Sequence, residues 1–251
     1  MKKYFFGVVI LLIHLNSAFS FAQSSQVSGT ITYSVSLEPI YNAVAERFKK
    51  EANKAGLQMV VNMAQAASNL ECKLNFNGFN SKFGLVNTMG LGNADKMMIL
   101  AVRSVTQGDY YTNLMTQKQI LNDNSSKELL IESNLEEPTW QLTKDMKKIG
   151  NYTCYKAITY KTLENIGEVP ITVWYTPQIP VAFGPKEYVG NLPGLVLEYK
   201  DQMVHFVAKK IVLNPNKAIT INWPEGKTIS KEDYKKQNDF SFSTLKENSG
   251  R

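Results

Sequence analysis

The stretch Trp140 to Lys161, WQLTKDMKKIGNYTCYKAITYK, decides the fold. Its two strand-like runs, 140–149 and 152–161, are separated only by Gly150-Asn151, a pair suited to a two-residue turn, so they are expected to pair antiparallel. Working outward toward the C-terminus, Ile171 to Thr176, Leu195 to Lys200 and Met203 to Leu213 read as further strands, the last two joined by Asp201-Gln202. Asn214 to Lys217 breaks the pattern, Ile219 to Trp223 reads as a short strand, and Ser230-Lys-Glu-Asp233 resembles a capping box that opens a short polar helix. Toward the N-terminus the strands are Leu129 to Ser133, Tyr110 to Leu121, Met97 to Val105, Phe83 to Thr88 and Leu70 to Asn77. Asn77-Gly78, Gly108-Asp109 and the cluster Asn122 to Ser126 are the turn cues between them.

Thr30 to Leu37 alternates strictly, with Ile31, Tyr33, Val35 and Leu37 on one face, which is the pattern of a half-buried strand. Pro39 then starts a helix in which Tyr41, Val44, Phe48, Ala52 and Ala55 recur at spacings of three and four. Val60, Met63, Ala64 and Ala67 keep that spacing, so one long helix is expected to continue through Gly56, a residue that costs about 1 kcal/mol against alanine and is the candidate break. Strands with one apolar face and a helix with one apolar stripe cover each other. The expectation is an α+β fold: a predominantly antiparallel curved sheet, open or half barrel, packed on one long N-terminal amphipathic helix.

Residues 1–22 read as a signal peptide, with Lys2 and Lys3 before an apolar run from Val8 to Leu15 and small residues at Ser20 and Ala22. Cleavage is expected after Ala22. The apolar run is well short of the ~20 residues that span a bilayer, and no later segment reaches that length. Residues 23–247 form the expected single β-rich domain, and 248–251 a disordered tail. The exported chain is expected in the periplasm, at the cell envelope, or outside the cell. The net charge of +6 is scattered among acids, as in Glu46 to Glu51 and Lys231 to Lys236, which argues against nucleic acid as a partner.

Export makes Cys72 and Cys154 a candidate disulfide, the alternative being two buried thiols. Cys72 alternates with Leu70, Leu74 and Phe76 on an apolar face, and Cys154 is read on the side of Ile158.

Between Trp174 and Tyr199, the hexapeptide Asn191-Leu192-Pro193-Gly194-Leu195-Val196 resembles the signature of the GLPGLI family of exported Bacteroidetes proteins. Trp140, Ile149 to Ala157, Trp174-Tyr175-Thr176, Ile179-Pro180 and Gly184-Pro185 fall in the order that family shows, across essentially the whole chain after the leader. The resemblance implies a bacterial exported protein and brings no catalytic residues with it. Asn191 stands where the eponymous motif has glycine, and asparagine tolerates φ > 0. Pro193-Gly194 reads as a type II turn with Gly194 at positive φ.

Chemistry is sparse in the residues themselves. After the leader the single histidine is His205, so multi-histidine metal sets are excluded by count. His205 reads as a structural strand residue, and a Cys154–His205 pair loses its thiol to the bridge. Gly90 to Asp95 lacks the third glycine of a dinucleotide loop, and Glu132 with Glu136-Glu137 reads as a solvated turn. No catalytic, metal or cofactor residues are assigned. The methionines of 59–63 read as core filler, and the 27 aromatic residues as core and sheet packing. The leading expectation is a non-enzymatic binding or accessory protein for a hydrophobic small molecule or lipid, or for an outer-membrane transport partner. The alternatives are an envelope hydrolase using Asp or Glu carboxylates, and a structural module that adds a partner's strand to a sheet edge.

Overall fold

The computed structural model describes residues 27–86, 101, 105–123, 129–135, 138–163, 167–187 and 190–236. The expected leader with its cleavage point at Ala22, and the tail 248–251, lie outside them. Alternation in Ser28–Ser36 (β1) buries Ile31, Tyr33 and Val35. Two helices follow. The Ser36 hydroxyl accepts the Glu38 amide 3.1 Å away and Pro39 occupies the first turn of Glu38–Lys50 (α1). The expected single long helix is overturned: Ala52 takes a left-handed φ of 52°, and Asn53 restarts the chain by accepting the Gly56 amide at 2.8 Å, opening Lys54–Ser68 (α2). The break falls before Gly56, whose missing Cβ makes room for the Phe48 ring of α1. Met63 and Ala67 of α2 join the core, whereas α1 fully buries Ala45 alone.

The remaining strands are Glu71–Asn77 (β2), Asn80–Leu85 (β3), Gly108–Asn113 (β4), Lys118–Asp123 (β5), Leu129–Asn134 (β6), Gln141–Ile149 (β7), Tyr152–Leu163 (β8), Gly167–Thr176 (β9), Leu195–Lys200 (β10), His205–Leu213 (β11) and Thr228–Ser230 (β12). They form one sheet in the order β12-β6-β5-β4-β3-β2-β1-β11-β10-β9-β8-β7. Neighbours are antiparallel apart from the parallel pair β12–β6, so the sheet is mixed and it is not closed. The fold expectation is thereby corrected: a 12-stranded mixed sheet with short helices replaces a half barrel on one long helix.

The β7–β8 hairpin at Gly150-Asn151 and the β2–β3 hairpin at Asn77-Gly78 form as read, with Gly150 at φ 56° and Gly78 at φ 58°. Four readings fail. Tyr110 to Leu121 is two strands joined at 114–117, because Asn113 Oδ1 accepts both the Met115 and Thr116 amides at 2.9 Å and Gln117 turns to φ 55°. Gly108-Asp109 lies inside β4, and 219–223 forms no strand. Of the expected strand 97–105, Ala101 and Val105 are helical and fully buried, and the rest lies outside the described residues.

The sheet bends strongly. β3 and β11 are three steps apart, about 14 Å on a flat sheet at ~4.8 Å per step. Yet the rings of Phe83 and Phe206 meet edge to face with centroids 5.4 Å apart. Tyr33, Tyr110 and Tyr199 extend this aromatic centre, and the Tyr33 hydroxyl donates to the Val196 carbonyl at 2.6 Å.

Candidate functional site

The same alternation that fills the centre builds a cleft beside it. On the inner face of β4, β5 and β6 the register sets Tyr110, Leu121 and Ile131 in one cross-strand row and Thr112, Gln119 and Ser133 in the next. Gln119 is almost wholly buried and donates to the Thr112 hydroxyl at 3.0 Å. Across from this floor stand Lys161 of β8 and Glu187 of the β9–β10 connection. β8 is seven steps from β4 in the sheet, about 34 Å if flat, so the bend alone brings the two wings around one space. A helical turn at 231–236 forms the remaining wall with Lys231, Glu232, Tyr234 and Lys235. Its start is set by Ser230, whose hydroxyl accepts the Asp233 amide at 3.0 Å, as the capping-box reading expects. The Tyr234 hydroxyl donates to buried Asp123 at 2.9 Å and ties that wall to β5. The cleft measures 590 Å³, within the ~300–1,000 Å³ of small-molecule sites.

Glu187 is the electrostatic hub. Burial works to raise its carboxyl, but the ammonium groups of Lys186, Lys161 and Lys231 outweigh that and hold it below the ordinary carboxylate range. Lys161 Nζ lies 3.3 Å from Glu187 Oε1. Burial, followed by the charge of Glu187 and a hydrogen bond to it, pushes the Tyr110 hydroxyl well above the usual tyrosine range, so Tyr110 is a neutral donor.

The hexapeptide is the anchor of the connection that delivers Glu187. Asn191 takes φ 54°, as its tolerance for positive φ predicts. Gly194 does not take positive φ, which corrects the type II turn reading. It is required by crowding, since a Cβ there would lie 2.0 Å from the Thr176 carbonyl oxygen. Leu192, Leu195 and Val196 are buried, and the Leu195 and Val196 amides donate to the carbonyls of Ile179 and Phe183. Trp140 Nε1 donates to the Gly190 carbonyl at 3.2 Å. Lys186, at φ 62°, reaches Asp201 at 3.1 Å, and Asp201 also accepts the Tyr199 hydroxyl and the Met203 and Val204 amides.

On the other face of the sheet Glu198, nearly buried, pairs with Lys147 and lies 3.1 Å from His205 Nε2, while Lys147 Nζ sits 4.2 Å over the Trp174 ring. Desolvation raises the Glu198 carboxyl, but hydrogen bonds to His205 and Lys147 bring it below the ordinary range. His205 is therefore in hydrogen-bond contact with the carboxylate of the Glu198–Lys147 pair, on the strand as read.

Cys72 and Cys154, the candidate pair, are both buried and carry no bond to each other in the structure. Strands β1, β11, β10 and β9 stand between β2 and β8, and Cys154 is out of phase with Ala157 and Thr159, the inward positions of its strand. Burial and the charge of Asp109 push the Cys72 thiol up, and burial pushes Cys154 up to about 11. Neither is poised as a nucleophile. Gly90 to Asp95 and Glu136-Glu137 lie outside the described residues. Among the described residues no group of His, Cys, Asp or Glu is arranged to hold a metal, and no helix is long and apolar enough to cross a membrane.

Reading the sequence did not single out Lys161, Glu187, Lys231 or Lys235. One signal was present: Gln119 and Asp123, two buried polar residues in phase with Leu121 on β5.

Residues 162–198, which run from the end of β8 through the connection to β10, match a family described as "Protein of unknown function (Porph_ging)". The match is short and does not carry the GLPGLI name. No curated protein matches the chain. Two solved structures share the fold: PNGF-II in a C2 crystal form, with TM-score 0.52 at 18% identity, and PNGF-II in a P21 form, with TM-score 0.53 at 17% identity. Each comparison covers 84% of this chain, and the chain spans about a third, 32%, of the solved chains.

Proposed function

We propose that this chain is an exported, non-enzymatic binding or accessory protein of the cell envelope, and that its cleft takes a small molecule with hydrophobic surface. The observation that carries the reading is the 590 Å³ space whose floor is Tyr110, Leu121 and Ile131. Apolar groups gain roughly 25 cal/mol per Å² removed from water, and Leu121, half-buried between Tyr110 and Ile131, is the floor residue with surface left to cover. Native mass spectrometry of the protein gently extracted from envelopes tests it. The expected result is a bound small molecule that is lost in Ile131→Trp, whose indole fills the floor. A protein with no bound mass, and no uptake of added apolar probes, overturns the reading.

A hydrolytic role is the second reading, favoured by the presence of both Glu187 and Glu232 on the cleft. It predicts cleavage of the bound molecule that disappears in Glu187→Gln and Glu232→Gln. The binding reading predicts an unaltered ligand mass in all three proteins.

A further inference from the structure

We propose that the ligand of this cleft carries a neutral group that both donates and accepts a hydrogen bond, a hydroxyl or a carboxamide, which Gln119 and Ser133 receive at one end of its apolar body. The inference rests on reading the cleft as a binding site, and adds the chemistry of what it binds.

An unmet acceptor carries it. Gln119 lines the cleft although only 5% of the residue is exposed. Its Nε2 donates to the buried Thr112 hydroxyl at 3.0 Å, which holds the carboxamide in one orientation. Among the described residues nothing donates to Gln119 Oε1, and the sealed side-chain oxygen without a partner is Asn122 Oδ1 instead, so Gln119 Oε1 keeps access to the cleft. Ser133 is the cross-strand neighbour of Gln119 and also lines the cleft, with its hydroxyl unengaged among the described residues. Directly opposed residues on one face of a sheet stand about 5 Å apart at Cβ, close enough for one ligand group to touch both.

A wholly apolar ligand would take the Gln119 oxygen away from solvent and give it no donor, at the cost of its desolvation. An anionic group would set its charge against the negative end of the same carbonyl. An ammonium group would enter a row, Thr112, Gln119 and Ser133, that holds no carboxylate to balance it. One hydroxyl or one carboxamide meets both residues, donating to Gln119 and accepting from Ser133. The polar row lies two residues along the strands from Tyr110, Leu121 and Ile131, a distance of about 7 Å, so the same molecule reaches Leu121 with its apolar part.

Displacement of the uncharged fluorescent probe N-phenyl-1-naphthylamine tests the proposal with four ligands of similar shape: naphthalene-2-methanol, naphthalene-2-carboxamide, naphthalene-2-carboxylate and 2-ethylnaphthalene. Because these differ in hydrophobicity, the quantity read is the affinity of each polar ligand relative to 2-ethylnaphthalene, compared between wild type and variant. In Gln119→Met that ratio should fall at least about tenfold for the alcohol, the amide or both, with 2-ethylnaphthalene bound no more weakly. Ser133→Ala removes a hydroxyl without breaking a bond of the fold and should lower the same ratio about threefold, which decides the matter if Gln119→Met does not fold. Ile131→Trp should weaken all four ligands. A loss confined to the alcohol assigns a hydroxyl and one confined to the amide a carboxamide, and either supports the proposal. Ratios unchanged in both variants, with binding still sensitive to Ile131→Trp, overturn the polar recognition while leaving the binding cleft intact. A carboxylate that binds tightest and loses most in these variants overturns it as well. No displacement by any of the four, or displacement that ignores Ile131→Trp, overturns the cleft reading itself.

Discussion

The aromatic centre and the neighbouring cleft are two parts of one inner face, made by the same strand alternation and filled differently. Around Phe83 the rings of Tyr33, Tyr110 and Phe206 close the space with centroid separations of 5.4–6.5 Å. On the next two strands out, β5 and β6, the inward residues shorten to Leu121 and Ile131 or turn polar at Gln119 and Ser133, and the opposite wing supplies Lys161 and Glu187 in place of another ring. The lesson is that volume and polarity at a few inward positions decide whether a bent sheet makes core or cavity. Core packing tolerates no gap, whereas a site needs one with charges held at its rim.

The sharpest way to break the comparison is a pair of truncations. Phe83→Ala should cost about 3–5 kcal/mol, as for other fully buried phenylalanines. Leu121→Ala, already partly in solvent, should cost at most about 1–2 kcal/mol. Urea unfolding of both variants checks it, and equal losses would mean the cleft floor is core. Next in size, Gly194→Ala forces a Cβ against the Thr176 backbone and should destabilise by on the order of 1–3 kcal/mol. Because Gly194 anchors the connection bearing Glu187, that variant should also weaken probe binding. Tyr33→Phe removes one buried hydrogen bond and should cost about 1–2 kcal/mol, with the cleft unaffected, as thermal unfolding beside probe titration would show.

The smallest expected effect is on pH dependence. Burial tends to raise the Asp201 carboxyl, but Lys186 and the Val204 and Met203 amides hold it below its ordinary value, as lysines do for Glu187. A depressed folded pKa gives stability that is present above the unfolded value, near 4, and lost as pH falls through the folded one. Stability should therefore decline below about pH 4, and Asp201→Asn should flatten that decline in unfolding experiments run across acid pH.

Legibility in the sequence followed the range of the forces involved. Asn77-Gly78 and Gly150-Asn151 announced their hairpins because a positive φ is a local demand that glycine meets without steric cost. The 114–117 turn was missed because Leu, Met, Thr and Gln carry no such mark, and the decisive group is the Asn113 carboxamide preceding them. The break between α1 and α2 was read near Gly56, yet the left-handed residue is Ala52, and the glycine serves contact with Phe48. Gly194 was assigned to φ when it answers to crowding from Thr176, a residue one strand away. The cleft escaped notice for the same reason on a larger scale. Lys161, Glu187 and Tyr110 meet through the bend of a sheet, which no local pattern encodes.

The parallel pairing of Thr228–Ser230 with β6 has a consequence for how the molecule comes into being. The turn that walls the cleft hangs from β12, the last strand in chain order among the described residues. A nascent polypeptide can settle its hairpins in order of appearance, but the cleft lacks this wall until β12 has been made and has paired with β6. A product that stops short of β12 would therefore leave one side of the cleft open.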